Sequence, residues 1–229
     1  MSTGYEIRPR AAAFKDGIDA LRGLPTSVIG DVMGRLIGTT GLSPVNRSPV
    51  TVCGNAVTVR VRAGDNLMIH KALQILEPGD VLVIDGEGDV SRALMGELMM
   101  TQARIRGAVG FVIDGAIRDM DAFEQHKFPC WARGVNLRGP YKDGPGTINV
   151  PVSVGGLMVN PGDVVVGDSD GVIAVAPRDA LDIAKRARAK VNDEQATIRA
   201  LHDGTYSSRW VDDALSAKAP NLAASGKGK

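Results

Sequence analysis

The sequence predicts an α/β fold, with one domain that carries flanking helices at its N- and C-terminal ends. Short runs of β-branched and aliphatic residues alternate with segments whose apolar residues have helical spacing. No linker is long enough to force a division, and the 229 residues are 44% hydrophobic, which suffices for one large core. We therefore expect a single domain over residues 1–217. The small, polar and charged residues of 218–229 predict a disordered tail.

The first third of the chain predicts two helices followed by two strands. The helical segments are residues 11–23 and 25–38, and Ser27 is placed to cap the second. Alternating β-branched residues in 50–66 predict a pair of strands, which Gly54 interrupts.

The middle of the chain repeats the order of helix and strand. Residues 67–76 have helical spacing, and 77–89 form a Pro-Gly turn, a buried strand and a Gly-rich exit. A helix over about 92–106 leads to a strand at 110–115, and a short helix follows Arg118.

The C-terminal third predicts strands and then one long helix. Residues 147–177 are strand-rich, and 179–204 form a long charged helix that Gly204 ends. The segments 77–85 and 160–168 are similar, since each has a Pro-Gly turn, an apolar strand and a final aspartate. Turn geometry alone produces such a repeat, so we interpret it as structural.

Charge and cysteine content exclude several classes of protein. The 27 basic and 26 acidic residues nearly cancel, and no basic patch lies beside aromatic residues, so no nucleic-acid partner is expected. The two cysteines lack CxxC spacing, and the N-terminus lacks the apolar segment of a secretion signal. No apolar run approaches the roughly 18 residues that a membrane span requires. The sequence predicts a cytoplasmic protein with free thiols and no membrane partner.

Two segments with polar residues are expected to meet at one edge of the sheet. The strands near 81–85 and 110–114 become parallel neighbours if the helix between them crosses over in the usual right-handed way. Their carboxyl ends then bring the helix start near Gly96 beside Arg118 and Asp119, where open α/β sheets bind ligands. An isolated Arg-Asp pair is more often a surface ion pair on a solvated turn, and the geometry of this edge decides between the two interpretations.

The residue types at this edge suit a metal-bound 2-oxo acid. A helix that starts near small residues exposes N–H groups to a carboxylate or phosphate. An arginine fork beside those amides recognises a carboxylate or a developing oxyanion, which gives Arg118 a role. The neighbouring Asp119 has the oxygen ligands that a hard divalent cation prefers. Neither the phosphate loop nor the dinucleotide fingerprint has this spacing.

Six motifs and the late helix with Glu194 resemble those of the 4-hydroxy-4-methyl-2-oxoglutarate / 4-carboxy-4-hydroxy-2-oxoadipate aldolase family, which shares its fold with the regulator of ribonuclease E activity. The motifs are GDN at 64–66, PGDVLVID at 78–85, GELM at 96–99, GFVIDGAIRD at 110–119, FPCWARG at 128–134 and PGDVVVGDSDGV at 161–172. The resemblance runs from about Asp31 to Gly204, which is nearly the whole folded chain.

The most specific element of the resemblance is an acidic residue, twenty intervening positions and then Arg-Asp. Here it is Glu97 followed by Arg118 and Asp119. The aldolases of the family have aspartate at the first place, so glutamate changes the reach of that carboxylate. The ribonuclease regulators lack the metal-binding aspartate after the arginine. Asp119 therefore favours the enzyme.

The resemblance implies a layered β/β/α fold, similar to a swivelling domain, and a class II pyruvate aldolase in aromatic catabolism. Mg²⁺ or Mn²⁺ is implied as the cofactor, with Asp119 as its protein ligand. Substrate binding is implied for the segment Gly96, Glu97, Leu98 and Met99 together with Arg118. Catalytic roles are implied for Arg118, Glu97 and Glu194.

The resemblance also implies an assembly and a side activity. The expected assembly is a homotrimer or its dimer, a homohexamer, in which Glu194 reaches the site of a neighbouring subunit. Oxaloacetate decarboxylation is the expected side activity, because it passes through the same pyruvate enolate. Two alternatives remain open: a non-enzymatic regulator that binds and inhibits a ribonuclease complex, and a related lyase or decarboxylase for another 2-oxo acid.

Other polar residues predict structural roles. His70 lies on a helix with an apolar face, where a packed or partly exposed histidine is expected, and His126 lies at an ordinary surface helix end. Cys130 has no evident base beside it and predicts a buried thiol. Two further pairs complete the set: Asp168 and Asp170 suit a tight turn, and Asp65 and Asn66 suit a helix cap.

Overall fold

The computed structural model describes residues 4–219 of the chain. The chain divides into two compact units, Met1–Arg188 and Ala189–Lys229. All strands among the described residues belong to the first unit, which confirms the α/β class predicted from the alternation of elements. The expected tail, 218–229, lies outside the described residues from position 220 onward. The domain span 1–217 stays a prediction.

The strands range from two to ten residues. They are β1 (Tyr5–Ile7), β2 (Ser43–Pro44), β3 (Val52–Val61), β4 (Asp80–Asp85), β5 (Ala93–Met95), β6 (Gly110–Ile117), β7 (Cys130–Val135), β8 (Gly146–Ile148), β9 (Val152–Val154), β10 (Leu157–Val159), β11 (Val164–Asp168) and β12 (Gly171–Val175). The helices are α1 (Lys15–Leu21), α2 (Thr26–Val32), α3 (Leu67–Leu73), α4 (Glu97–Ile105), α5 (Met120–Gln125), α6 (Ala180–His202) and α7 (Arg209–Lys218), with a 3₁₀ turn at Pro177–Asp179.

One large sheet organises the first unit. Its strand order is β1-β8-β3-β4-β6-β7-β2, and its central strands β3, β4, β6 and β7 run parallel. The hairpin of β11 and β12 joins the sheet through β3, while β5 pairs with the end of β6. The strands β9 and β10 form a separate small sheet. The predicted parallel pairing of β4 with β6 is confirmed.

Alternate residues of the central strands bury opposite faces of the sheet. Leu82 and Ile84 of β4 belong to a hydrophobic cluster with residues of α3 and α4, whereas Val81 and Val83 pack with residues of β9 and β10. A strand covered on both faces needs apolar residues at every position, which explains the uninterrupted run Val81–Ile84. The layers are therefore helices, large sheet and small sheet, as the predicted β/β/α arrangement requires.

The prediction of two strands around Gly54 was wrong, because β3 passes through this glycine without a break. A Cβ atom at Gly54 would lie 2.4 Å from the carbonyl oxygen of Gly79. The glycine thus permits the close approach of β3 to the turn before β4. The helix predicted over 92–106 also begins later, at Glu97, because Ala93–Met95 pairs with β6 as strand β5.

The predicted cap of the second helix was also wrong. The N-cap of α2 is Pro25, and Ser27 lies inside the helix. The carboxylate of Asp168 caps the start of α2 instead. Its Oδ2 atom accepts the Thr26 N–H at 2.8 Å, and Oδ1 accepts the Thr26 hydroxyl hydrogen at 2.6 Å. These bonds join residues far apart in sequence, so local spacing does not reveal them.

The second unit contains the end of α6 and the helix α7, which the sequence pattern did not predict. Gly204 has a φ of 68° just beyond α6, as expected for a residue that ends a helix in the left-handed region. Trp210 donates from its indole nitrogen to the Tyr206 hydroxyl at 3.0 Å. No helix within residues 4–219 combines the length and apolar character required to cross a membrane.

Candidate active site

The parallel pairing of β4 and β6 brings the two polar segments together at one sheet edge. Asp85 and Asp114 are register partners near the strand ends, and β5 continues this edge beside β6. The chain leaves β6 into Arg118, whose backbone N–H donates to the carbonyl of Met95 at 2.9 Å. The start of α4 and the Arg118–Asp119 loop are therefore adjacent, as the crossover argument predicted.

A direct contact joins Asp119 to the first residue of α4. Asp119 has a φ of 58°, in the left-handed region, at the N-cap of α5. Its Oδ2 atom accepts the Glu97 N–H at 3.0 Å and lies 3.6 Å from Nε of Arg118. Left-handed backbone at a non-glycine residue is uncommon and persists where surrounding contacts hold it. The geometry directs the carboxylate at the helix start rather than at its own helix.

Gly96 makes this arrangement possible because it lacks a side chain. Its φ of −159° is extended backbone, so conformation does not require glycine here. A Cβ atom at this position would lie 2.5 Å from Oδ2 of Asp119 and 3.0 Å from Cγ of Arg118. Close approach of the two functional side chains therefore explains the glycine.

The first turn of α4 presents free hydrogen-bond donors. The Glu97 N–H is taken by Asp119, but within residues 4–219 no partner accepts from the N–H groups of Leu98 and Met99. Both residues line a cavity of about 220 Å³ that also contains Arg118 and Asp119 in its wall. Free amides at a helix N-terminus attract a carboxylate, and the guanidinium of Arg118 adds a formal positive charge.

The rest of the cavity lining includes residues from the start of α3 and from the segment before β8. These residues are Asn66, His70, Pro140 and Lys142. The Asn66 amide donates to the Leu94 carbonyl at 3.0 Å and to the Met99 sulfur at 3.4 Å, which joins this part of the lining to β5 and α4. The cavity is smaller than most drug-sized or dinucleotide sites, which are about 300–1,000 Å³, so its size suits a small metabolite.

His70 lies in this part of the lining as a neutral group. Burial and the nearby positive charge of Lys142 both lower its pKa from the ordinary value, so its imidazole is uncharged at neutral pH. Sequence reasoning assigned His70 a packing role and did not single out Lys142. No motif spacing relates positions 70, 118 and 142, because a helix and two loops far apart in the chain supply them.

The predicted catalytic carboxylates differ in placement. Glu97 is exposed at the start of α4, and the contact it makes to Asp119 is through its backbone. Glu194 lies in the second unit on α6, where its carboxylate is 3.1 Å from Nζ of Lys190. The structure thus brings together Gly96, Glu97, Leu98, Met99, Arg118 and Asp119 within the first unit.

The donor set fits a hard divalent cation that keeps most of its water. No group of three or more His, Cys, Asp or Glu side chains suited to a metal occurs in the described part of the chain. Asp119 is 42% exposed on the cavity wall, and its Oδ2 atom accepts the Glu97 N–H. Magnesium tolerates one carboxylate together with waters and substrate oxygens, so a sparse site of this kind suits it.

Asp65 and Cys130 have the structural roles expected of them, whereas Asn66 lines the cavity and does not cap α3 with its side chain. Oδ1 of Asp65, rather than the side chain of Asn66, accepts the Leu67 N–H at 2.9 Å at the start of α3. Cys130 is fully buried, and burial raises the pKa of its thiol. Burial likewise raises the pKa of Cys53 to about 11, so both cysteines are inert thiols.

The fold and the site define a layered α/β protein with a small cavity, lined by Arg118, Asp119 and the start of α4, at the carboxyl end of its central strands. The chain belongs to the RraA-like (Aldolase/RraA) family, whose model matches residues 26–174. A protein of Halalkalibacterium halodurans, named "Putative 4-hydroxy-4-methyl-2-oxoglutarate aldolase", is 40% identical over 195 residues. The match covers 85% of this chain and 92% of that relative.

Two solved structures share the fold. An uncharacterized protein from Pseudomonas syringae pv. tomato has a TM-score of 0.74 and 25% identity, covering 87% of this chain and 96% of its own. The RNA-processing inhibitor RraA from Thermus thermophilus has a TM-score of 0.61 and 26% identity, covering 66% and 92%. The names of these relatives thus include an aldolase and an RNA-processing inhibitor.

Proposed function

We propose that the protein is a divalent-metal-dependent aldolase that cleaves a 4-hydroxy-2-oxo acid to pyruvate and a second 2-oxo acid. The observation that carries the proposal is the placement of Arg118, Asp119 and two unpaired helix N–H groups around one small cavity. The aldolase name of the 40% identical relative supports the same activity. Candidate substrates are 4-hydroxy-4-methyl-2-oxoglutarate and 4-carboxy-4-hydroxy-2-oxoadipate.

The start of α4 binds the pyruvyl carboxylate in this proposal. Leu98 and Met99 line the cavity at the start of α4, where their unpaired N–H groups and the helix dipole stabilise negative charge. Gly96, which has no side chain, leaves room for the pyruvyl carboxylate to approach the start of α4. The guanidinium of Arg118, 45% exposed, lies beside the same helix start and presents several donors to the 2-oxo group.

Cleavage requires that the electron pair of the C3–C4 bond moves onto the pyruvyl fragment. A Mg²⁺ or Mn²⁺ ion at Asp119 supplies Lewis-acid polarisation of the 2-oxo group when bound. Arg118 stabilises the negative charge that develops on the enolate oxygen as the bond breaks. The C4 hydroxyl loses its proton and becomes the carbonyl of the second product, and protonation at C3 then gives pyruvate.

Glu97 and Glu194 are proposed to order the water that takes the C4 hydroxyl proton. Glu97 is exposed at the start of α4, where glutamate replaces the aspartate of the aldolases that this chain resembles. Glu194 would act from a neighbouring subunit of a homotrimer or homohexamer. Light scattering tests the assembly, since a fully active monomer of 24.1 kDa excludes a shared site.

A complementation experiment tests Glu194 itself. Chains with Glu194→Ala and chains with Asp119→Ala are each expected to be inactive. Mixed assemblies contain some interfaces that pair an intact Glu194 with an intact Asp119, so mixing should restore part of the activity. Mixtures that stay inactive after subunit exchange, shown with differently tagged chains, would remove Glu194 from the site.

The two alternatives predict different results. An RNA-processing inhibitor, as the Thermus thermophilus relative is named, acts through its surface and needs neither Asp119 nor a metal. A lyase or decarboxylase for another 2-oxo acid keeps the pyruvyl site and changes only the rest of the cavity. A coupled assay for pyruvate release separates them, with a panel of 4-hydroxy-2-oxo acids and oxaloacetate, each with and without Mg²⁺. Metal-dependent release of pyruvate from a 4-hydroxy-2-oxo acid supports the proposal. Absence of pyruvate release from every substrate contradicts it.

A further inference from the structure

We propose that strand β1 binds β1 of a second copy of the chain in antiparallel orientation, so that the large sheets of the two copies become one continuous sheet. β1 is the last strand at one end of the large sheet, where it pairs in parallel with β8. No strand in the described part of the chain pairs with its other side. The contact goes beyond the proposed function, because no residue of β1 lines the cavity at Arg118 and Asp119.

The backbone of β1 directs the hydrogen-bonding groups of two residues to this open edge. The Gly4 carbonyl and the Arg8 N–H both bond to β8, at 3.1 Å each. Successive residues of a strand alternate in direction, so the N–H and carbonyl groups of Tyr5 and Ile7 face away from β8. An open edge of this kind accepts a further strand.

Pro9 limits the register in which a second strand can pair. Position 9 is the next one that faces the open edge, and proline has no N–H to donate. Among the described residues, the register that uses both donors places Tyr5 opposite Ile7 of the second copy, with a two-fold axis at Glu6. Two hydrogen-bonded pairs form in this register, and each pair exchanges both of its N–H···O bonds.

Tyr5 and Ile7 suit this register through their side chains as well. They share one face of β1, and each is about half exposed. Pairing places Ile7 of each copy beside the Tyr5 ring of the other, and aromatic and β-branched residues stabilise adjacent strands in this way. The Tyr5 hydroxyl donates to the Asp143 carbonyl at 2.6 Å, which holds the ring in place before the second copy binds.

A groove beside Ile7 extends the contact beyond the strand. A cavity of about 420 Å³ includes Ile7, Pro9, Ile75 and Leu76 in its lining. Tyr5 of the second copy lies opposite Ile7, at one side of this groove. Its ring thereby covers apolar surface next to β1, and the interface is larger than three residues of strand alone provide.

Glu6 and Arg8 supply complementary charges on the opposite face of β1. Nε of Arg8 donates to Oε1 of Glu6 at 2.6 Å, and both side chains are about half exposed. The two-fold axis brings the two copies of Glu6 opposite each other. Each Arg8 lies diagonally from Glu6 of the other copy, within reach of a long side chain. The two arginines therefore neutralise the two glutamates across the interface.

A cross-linking experiment tests the register. Glu6→Cys should form a disulfide between copies on mild oxidation, because facing Cα atoms of a non-hydrogen-bonded pair lie about 4.5 Å apart, within the range of a disulfide. The product has twice the 24.1 kDa chain mass on a non-reducing gel. Both native cysteines are buried and do not compete.

Arg8→Cys is the matched control for this experiment. It introduces a cysteine on the same face of the strand, but in this register its two copies lie roughly 13 Å apart, which is too far for a disulfide. Cross-linking of Glu6→Cys alone supports the pairing. Equal cross-linking of both variants, or none in Glu6→Cys, overturns it.

A mass measurement tests whether the contact forms in the unmodified protein. Ile7→Pro removes an N–H at the open edge and keeps the bonds of β1 to β8, so it should halve the mass found by light scattering, whatever other contacts the assembly has. Ile7→Val keeps the donor and a β-branched side chain and should retain the full mass. Circular dichroism checks that Ile7→Pro is folded. An unchanged mass in folded Ile7→Pro contradicts the inference, and if that variant does not fold, the cross-linking result decides.

Discussion

Two arginine–aspartate pairs lie around strand β6, and they differ in nearly every physical respect. Nε of Arg133 donates to Oδ1 of Asp114 at 2.5 Å, and Oδ2 of the same carboxylate accepts the Gly155 N–H at 2.6 Å. Nε of Arg118 is 3.6 Å from Oδ2 of Asp119. The Asp114 side chain is 10% exposed, whereas that of Asp119 is 42% exposed.

The comparison distinguishes an ion pair that holds the fold together from one that lies at a cavity. Asp114 uses both oxygens within the protein and joins β6, β7 and the turn between β9 and β10. Arg118 and Asp119 lie against a cavity, with left-handed backbone at Asp119 and donors that remain for a ligand. Loss of the first pair should therefore reduce stability, and loss of the second should reduce activity.

Arg118→Ala should have the largest effect. Removal of the group that stabilises the enolate oxygen is expected to lower kcat on the order of a hundredfold or more. The melting temperature should change little, because the side chain is half exposed. Arg118→Lys should recover little activity, because lysine lacks the planar fork. Nearly normal turnover in a folded Arg118→Ala protein would show that Arg118 and Asp119 form only a surface contact.

Asp114→Ala should show the opposite pattern. It leaves Arg133 and the Gly155 N–H without their acceptor, which in a fully buried pair costs about 3–5 kcal/mol. Since Arg133 is 32% exposed, we expect a smaller loss of roughly 2 kcal/mol in the free energy of unfolding. Denaturant titration measures it. The control is Asp121→Ala, which removes an exposed partner of Arg47 and should cost less than about 1 kcal/mol.

Gly96→Ala sharpens the comparison without removing either functional side chain. The new methyl group would meet Oδ2 of Asp119 at 2.5 Å, so Asp119 and Arg118 must both shift. A displacement of that size is expected to lower kcat about tenfold or more in a protein that stays folded. Gly139→Ala is the control, because its methyl group would lie 3.7 Å from Arg118, an ordinary contact. Equal activities of the two variants would contradict the role given to Gly96.

The smallest expected effect is on the titration of His70. Its pKa should lie below the ordinary value and rise in Lys142→Met, because that change removes one of the two causes. Because the pKa of His70 is lowered in the folded protein, the unfolded chain binds the proton at a higher pH than the folded protein does. Stability therefore falls as the pH drops through the ordinary histidine range. NMR titration measures the pKa shift, with His70→Asn for assignment. An unchanged pKa in Lys142→Met would show that the charge of Lys142 does not act on His70.

The sequence was sufficient for the features that local pattern and handedness control. The apolar runs of β4 and β6, with a helix between them, imply parallel neighbours, and their pairing places Gly96 beside Asp119. The spacing of twenty positions between Glu97 and the Arg-Asp pair then follows from where the strands end. These inferences need only the period of the elements and the usual crossover.

Features that depend on long-range contacts were not accessible in this way. Gly54 suggested a break because glycine often ends a strand. The reason for a glycine here is instead the carbonyl of Gly79 on the neighbouring turn, which leaves no room for a Cβ atom. The cap of α2 comes from Asp168, more than a hundred positions away. Lys142 reaches the cavity because Asp65 holds the backbone beside it, and nothing in the local sequence of either residue indicates that bond.

The most direct test of the central claim is exchange of the pyruvate methyl protons with D₂O, followed by NMR. Exchange reports enolate formation alone, without the rest of the substrate. The account predicts rapid exchange with Mg²⁺, loss of exchange after exhaustive EDTA treatment with restoration by added metal, and loss in both Arg118→Ala and Asp119→Ala. Exchange that persists with no metal retained, or that survives both substitutions, would contradict a metal-dependent pyruvate site at the Arg118–Asp119 loop.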